Sequence, residues 1–408
     1  MRAPTFQHMP SSTPFWWVAA IATAFVVVGL VSAHHMESAG HWVTGMNNRV
    51  VWGVPHVFAV FLIVSASGAL NAASIASVFG RETYKPLSRL SALMAITLLA
   101  GGLTVLVLDL GRPDRLIVAM THYNFRSIFA WNIFLYTGFI ALVVVYLWMM
   151  FEPRMNRFVD RVGTTAFAWR LILTTGTGSI FAFLVAREAF DSAVLAPMFI
   201  AMSLSFGTAL TLIFSALIFS IRGDGLPTAL MLNLRRLLGY FVVAVAFFVM
   251  VDHLTRLYGA EHHSMERFIL LEGGIYPMLF WIGQILLGTI LPVVMLLQRR
   301  CNTLAPTLVA ASLVLVGAFC QLYVLIIGGQ AFPIDIVPGF SETSGFFDGV
   351  IAEYQPSLAE FGLGMGGVGL ALLTYLIGTR VLAFLPTSGF DSGPSLSKTQ
   401  PKKDDIQQ

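Results

Sequence analysis

Ten long apolar stretches constrain this chain more than any other feature. They run approximately over residues 15–33, 53–79, 88–109, 128–150, 168–187, 197–221, 236–256, 276–297, 304–327 and 358–385. A membrane-crossing helix needs about 20 mostly apolar residues, so each stretch predicts a span. The expected fold class is an all-α polytopic membrane protein with about ten transmembrane helices. Composition agrees: 57% of the residues are hydrophobic and 11% charged, whereas a soluble domain carries about one quarter charged residues. So few charges cannot coat a globule of 408 residues. That excludes a soluble enzyme, a nucleic-acid-binding protein and a disordered chain, and it makes the lipid bilayer a partner. A net charge of +3 is too small to signal a polyanionic ligand.

With ten spans, alternate loops fall on opposite sides. Arg49, Arg112, Arg115, Arg126, Arg187, Arg256 and Arg267 lie on one side, and the remaining Lys and Arg lie on the side of both termini. Excess positive charge marks the cytoplasmic face, so both termini are expected there. The first stretch contains Val31-Ser32-Ala33, which resembles a signal-peptidase site. Its lead-in carries only Arg2 and the run is long for a secretory signal, so it reads as a retained helix. A loop at about 328–357 holds Asp335, Glu342, Asp348 and Glu353 but no Lys or Arg, and is expected outside, where it can cover a site or meet a partner. The polar tail from Ser388 to Gln408 reads as disordered.

Two parts of the chain share a layout. Pro55 and Pro197 open spans 142 residues apart, and Asp109 and Asp252 close spans 143 apart. Arginines follow each Asp, Arg112 and Arg115 in one case and Arg256 in the other, and Trp131 and Trp281 stand early in the next span. Chance can align a few prolines and acids; a true repeat would give two four-helix bundles related by a pseudo-two-fold axis along the membrane normal, plus two extra helices. The predicted organisation is an N-terminal helix and outer loop (1–50), a first bundle (51–190) and a second bundle (191–330). An acidic outer loop with the last span (331–386) and a cytoplasmic tail (387–408) follow.

Eight of the nine histidines fall on the outer side, all but His8. Asp109, Arg112, Arg126, Glu188, Asp191, Asp252, Arg256, Glu272 and Glu360 cluster at the outer ends of spans. Ionisable groups at membrane depth are costly and usually line a site or proton path, although a single one can merely staple two helix ends. The sharpest run is Leu108-Asp109-Leu110-Gly111-Arg112-Pro113-Asp114-Arg115, followed by Thr121-His122-Tyr123-Asn124-Phe125-Arg126-Ser127. Gly111 and Pro113 end the helix just after Asp109 and hold its carboxylate at the membrane edge. A quinone headgroup needs a donor to each carbonyl and, on quinol oxidation, a base. His, Asp, Tyr and Asn supply both. His56, one turn after Trp52-Gly53, is a second candidate at that level.

Other classes stay open. His56, His122 and His253 could ligate a b-type haem, but such ligands normally come as facing pairs deeper in the membrane. Cys301 and Cys320 cannot ligate an iron–sulfur cluster, which normally takes four thiolates. A secondary transporter would also show repeats and buried charge. Gly101-Gly102 and the glycines from Gly362 to Gly367 suit broken helices of that kind, and suit ordinary helix contacts equally well.

The runs Val51-Trp52-Gly53-Val54-Pro55-His56, Asp109-Leu110-Gly111-Arg112-Pro113 and His122-Tyr123-Asn124-Phe125-Arg126-Ser127 resemble the NrfD/polysulfide reductase membrane-subunit family. Ten spans, Tyr276-Pro277-Met278-Leu279-Phe280-Trp281 and Glu360-Phe361-Gly362 resemble its DsrP- and HybB-like ten-helix branch. The resemblance covers about residues 50–385. It implies two four-helix bundles in a bacterial cytoplasmic (inner) membrane and no haem or iron–sulfur cluster within the chain. It also implies a site for menaquinone or ubiquinone near the outer face, beside an extracytoplasmic ferredoxin-like iron–sulfur subunit. Further membrane, multihaem cytochrome or catalytic subunits would complete the complex. Carried over by position, His56, Asp109, Arg112, His122 and Asn124 would form or flank the quinone pocket. Asp252, Glu272 and Glu360 match acidic or polar positions associated with proton transfer. Some relatives carry an acid in the helix of His56, where Ala59 or Val60 stands here, which weakens the case for a proton path through the first bundle.

The expected function is that of a non-autonomous, quinone-reactive subunit of an oxidoreductase complex, linked to sulfur metabolism. His56 or His122 would orient a headgroup oxygen, and Asp109, paired to Arg112, would accept or relay a proton. A membrane scaffold without quinone chemistry, or a secondary transporter, is the alternative.

Overall fold

The computed structural model describes residues 5–298, 301–334 and 349–387. The expectations for Asp335, Glu342 and Asp348, and for the tail from Ser388, lie outside these residues. Ten long helices follow in order: α1 Thr13–Ala39, α2 Val54–Ser77, α3 Glu82–Leu108, α4 Ile128–Phe151, α5 Val159–Ala182, α6 Leu195–Arg222, α7 Thr228–Tyr258, α8 Ile275–Leu297, α9 Leu304–Ala331 and α10 Leu358–Val381. All but α5 are, by length and composition, able to cross a membrane. The chain is a multi-pass integral membrane protein.

Local chemistry sets many of these ends. Ser12 caps α1 by accepting from the Phe15 N–H, with Pro14 in the first turn. Pro55 opens α2, where its missing N–H would have had no helical partner. Gly223 ends α6 in the left-handed region at φ 89°. Ser357 and Glu360 form a reciprocal capping box at the start of α10.

α5 stands where the fifth span is predicted but begins earlier, at Val159, and is less apolar because it carries a buried polar seam. Arg170 donates to the Ser67 carbonyl at 3.0 Å and to Asn71 Oδ1 at 2.6 Å. Asn71 in turn donates to the Leu204 carbonyl and to Thr208, so the seam joins α2, α5 and α6. α7 likewise starts before its predicted limit. Arg235, read from sequence as a loop residue, is buried inside α7 and donates to the Met295 and Gln298 carbonyls at the end of α8.

α2 lies against α3 and α6, α4 against α5, α8 against α9, and α10 against both α1 and α3. Among the described residues two large apolar cores divide the molecule by depth, with a smaller third one around Met36, Ala59 and Leu363. Of the two large ones, one gathers Leu98, Phe139, Leu212 and Leu238 towards the termini, and the other gathers Phe190, Phe199, Met202 and Ile327 at the opposite end. Both take side chains from α2 and from α6, so packing is continuous across residue 190. The α2–α6 crossing depends on Gly68 and Gly207, whose backbones touch; a Cβ on Gly68 would run into the Ser203 carbonyl. The glycines that suggested broken helices lie inside unbroken α3 and α10 and serve as contact points, Gly101 against Gly367 and Gly362 against Ser32.

Both ends of the described chain meet on one face. Strand β1 (Phe6–Gln7) pairs antiparallel with β2 (Leu385–Pro386), Phe6 opposite Pro386. Arg380 donates to the Met9 carbonyl at 2.6 Å, and the Met9 N–H donates to that of Thr379 at 2.9 Å. Trp131 and Trp281, paired in the sequence layout, act alike: each indole N–H donates at 2.9 Å to a carbonyl of the segment before its helix, Phe125 and Leu270 respectively.

Candidate functional site

His56 stands in the first turn of α2 and Asp109 at the C-cap of α3. These helices run antiparallel side by side, so the start of one meets the end of the other at the face opposite the termini. His56 Nδ1 lies 3.3 Å from Asp109 Oδ2. The Asp109 side chain is only 4% exposed, while the imidazole retains 19%. A carboxylate at a helix C terminus meets the negative end of the helix dipole, and a buried charge without a partner is costly. His56 is therefore what makes this position tenable for a carboxylate. The second oxygen, Asp109 Oδ1, is buried and has no hydrogen-bond partner.

The imidazole is held from below. Its ring stacks on Trp52, with centroids 5.4 Å apart and planes 14° apart. Phe129, Phe181 and Phe190 surround the indole at 6.2, 5.8 and 6.4 Å. Gln330, at the end of α9, fixes the backbone here. Its Oε1 accepts from the Val51 and Trp52 N–H groups, each at 3.0 Å, and its Nε2 donates to the Trp52 and Ile326 carbonyls. Arg187 reaches across to the Gln330 and Arg49 carbonyls at 2.7 and 2.9 Å.

Glu360 is fully buried beside the start of α2. Its Oε1 accepts from the Tyr354 hydroxyl at 2.5 Å, and its Oε2 accepts from the Gly45 and Ser357 N–H groups at 2.9 and 2.7 Å. The same Tyr354 oxygen accepts from the Val54 N–H at 2.8 Å. Burial, and then the Glu360 carboxylate, push the Tyr354 phenol well above its ordinary range, so it stays a donor. Gly53 has no room for a side chain, because a Cβ there would meet Glu360 Oε1 and the Tyr354 hydroxyl. Glu360 is thus engaged as a cap that knits the starts of α2 and α10 at the face opposite the termini.

Other predicted residues fall elsewhere. Arg112 does not pair with Asp109. The helix ends at Leu108, the chain turns, and the guanidinium forms a two-point pair with Asp114 at 3.1 Å, exposed on the surface. That pair holds the Asp114 carboxyl below its usual range. His122 is exposed at the end of the short helix Leu116–Thr121, its Nδ1 3.0 Å from the Thr121 hydroxyl. Asn124 is exposed too and accepts from the Arg126 N–H in a local turn. Glu272 forms a surface pair with Arg267 at 2.6 Å. The buried acid of that segment is Glu266, which the sequence pattern did not single out. Its signal was its place among Met265, Phe268 and Ile269, all buried by the short helix that folds back there. Asp252 is buried on α7 in an ion pair with Arg256 at 3.3 Å, apart from the His56 site. Gln330 and Tyr354 were not expected from sequence either, because a lone amide and a lone phenol carry little pattern.

Among the described residues no group of three His, Cys, Asp or Glu could hold a metal ion. The family model "Polysulphide reductase, NrfD" matches residues 42–334. The sequence is 28% identical to the Hdr-like menaquinol oxidoreductase integral membrane subunit of Archaeoglobus fulgidus, over 90% of this chain and 92% of that protein. It is 25% identical to protein NrfD of Escherichia coli, covering 73% and 98%. With the integral membrane subunit of menaquinone reductase from Nitratidesulfovibrio vulgaris the identity is 26%, over 35% of each protein. A model that spans most of the chain, over the helices that build the His56–Asp109 site, shows that this protein belongs to the polysulphide reductase NrfD family.

Proposed function

We propose that this chain is the quinone-reactive membrane subunit of a multi-subunit oxidoreductase, and that His56 and Asp109 form the centre of its quinol site. The observation that carries the reading is the buried Asp109 carboxylate, bonded to His56 through one oxygen and left with a second, unpartnered oxygen. A lone buried acceptor suits a hydroxyl donor, and a quinol brings two. In this reading Asp109 accepts a proton from the quinol hydroxyl, and His56 holds the carboxylate in place and relays that proton through the imidazole's exposed side. Trp52 offers its ring as a plate, and the surrounding phenylalanines exclude water. Menaquinone or ubiquinone is the substrate class, and the names of the Archaeoglobus and Nitratidesulfovibrio relatives support menaquinone.

The chain holds no carrier of its own in this reading. Electrons pass to or from an iron–sulfur subunit docked on the outer face, within a complex serving sulfur metabolism. Both termini lie in the cytoplasm of a bacterial inner membrane, and α2–α5 and α6–α9 act as two four-helix bundles. Arg112, His122 and Asn124 are exposed between α3 and α4, and in this reading they serve the approach of a partner and take no part in the proton transfer. The test is the quinone content and visible spectrum of the purified complex. Quinone retained by the wild type and lost in Asp109→Asn and His56→Ala, without a haem band, supports the reading. Absence of quinone from a fully assembled wild-type complex that also turns over no added quinol overturns it in favour of a scaffold.

A further inference from the structure

A second buried ionisable cluster lies at the same face but on other helices. Asp252, His253 and Arg256 project from the end of α7, and Glu266 reaches them from the segment before α8. His253 Nδ1 is 2.7 Å from Glu266 Oε2. Arg256 Nε stands 3.3 Å from Asp252 Oδ2 and 4.0 Å from Glu266 Oε1, yet makes no hydrogen bond although Arg256 is 6% exposed. Its terminal nitrogens donate to the Glu188 and Ala189 carbonyls at 2.9 and 2.6 Å. The Ser192 hydroxyl donates to Asp252 Oδ1 at 2.5 Å.

These side chains line a cavity of about 50 Å³ that also touches Gln284 and Gln321. Such a volume holds one or a few waters and is far below the roughly 300 Å³ of a small organic ligand's pocket. Gln284 and Gln321 border a second cavity, of about 20 Å³, deeper in the helices beside Ser205 and Thr289. Gln284 sits on the π-helical stretch Leu279–Ile290, and such wound segments are frequent at functional sites.

Charge balance selects the ligand. Two buried carboxylates, Asp252 and Glu266, face one guanidinium, Arg256. Among the described residues the neighbouring elements do not supply another cation. The loop before α6 brings Glu188 and Asp191, both acidic, while Arg187 is spent on the Gln330 and Arg49 carbonyls. In the segment before α8, Glu261 pairs with His262, His263 bonds the Leu257 carbonyl, and Arg267 pairs with Glu272 on the surface. α8 and α9 contain only Tyr276, Cys320 and Tyr323 as titratable groups, all neutral at neutral pH in their ordinary state. A surplus buried negative charge is costly, and the one group able to offset it is the imidazole in contact with Glu266.

We propose that this second site holds one exchangeable proton, shared between His253 and Glu266 and solvated by water in the Gln284–Gln321 cavity. The step is a protonation only: the proton bonds either to the imidazole, giving imidazolium and carboxylate, or to Glu266, giving a carboxylic acid beside neutral imidazole. The exposed edge of His253, 22% accessible, exchanges it with the outer face. The proton site stands independently of the quinone site, because the two share no residue.

The test uses the full-length protein in detergent, with nitrogen-15 histidine NMR and infrared spectra in H2O and D2O. At neutral pH the wild type should show either one imidazolium, absent in His253→Gln, or a protonated carboxyl band, absent in Glu266→Gln. In Glu266→Gln the Asp252–Arg256 pair is balanced and His253 should turn neutral. In His253→Gln the proton should move to Glu266, with a carboxyl band that shifts in D2O. If Glu266→Gln does not fold, the His253→Gln infrared spectrum decides. A neutral His253 with no protonated carboxyl in the wild type overturns the proposal, and so does a carboxyl band in His253→Gln that fails to exchange.

Discussion

His56 and Asp109 meet at 3.3 Å although 53 residues separate them in the chain. The contact exists because the first turn of α2 and the last turn of α3 end at one level, and because the Trp52 ring keeps the imidazole from swinging away. A buried acid that depends on one neighbouring imidazole is sensitive to small changes in either group.

Asp109→Asn keeps the shape of the side chain and removes its basicity. Quinol-dependent turnover of the complex should fall about 10²-fold or more, the usual contribution of a general base, while assembly on native gels is unchanged. Arg112→Ala, which breaks only an exposed pair with Asp114, should leave turnover close to wild type. An Arg112 variant as inactive as the Asp109 variant would refute this assignment of roles.

Gln330→Leu removes the amide that holds the Val51 and Trp52 backbone. It leaves buried groups unsatisfied, at a cost of about 1–3 kcal/mol, visible as a lower Tm. Because it acts through the position of Trp52, it should raise the quinol KM more than it lowers kcat. Equal losses in both would point to general unfolding instead.

Tyr354→Phe tests the cap that joins α2 and α10. At neutral pH the variant should be less stable by about 1–3 kcal/mol, since Glu360 and the Val54 N–H each lose a partner. Burial and Glu360 raise the folded-state phenol, so above about pH 10 the unfolded chain loses a proton that the folded one keeps. Wild-type stability should therefore fall as pH rises past that point, and the variant should fall less steeply. Tm measured against pH gives both slopes, and identical slopes would remove Tyr354 from the account.

Gly68→Leu should prevent α2 and α6 from closing, because even a Cβ at Gly68 meets the Ser203 carbonyl and the Gly207 backbone. A loss of about 3 kcal/mol or more is expected from overpacking at a backbone contact. Gly225→Ala is the control, with nothing within 4 Å of the added carbon. Thermal unfolding of the two purified variants compares them directly.

Much of the architecture was readable from residue order alone. Apolar length is a local property, so the helices appear close to where the stretches predicted them, and Pro55 marks the start of α2 by chemistry confined to one turn. The shared level of His56 and Asp109 was readable for the same reason, since one stands at the start of its stretch and the other at the end of the next. The pairing of charges was not. Arg112 is close to Asp109 in sequence, but the chain turns after Leu108 and the guanidinium finds Asp114 instead. Glu272 looked like the membrane-edge acid, whereas the fold-back of residues 263–272 buries Glu266 and exposes Glu272.

The sequence by itself determined that this is a bundle of membrane helices with histidines and acids gathered at one end, because hydrophobic length and charge bias act segment by segment. Only the tertiary structure decided that His56 takes Asp109, that His253 takes Glu266, and that Gln330 holds Trp52 from 278 residues away. Those partners depend on which helix ends are brought level, and that is set by backbone contacts such as Gly68 on Gly207, which no single stretch of sequence contains.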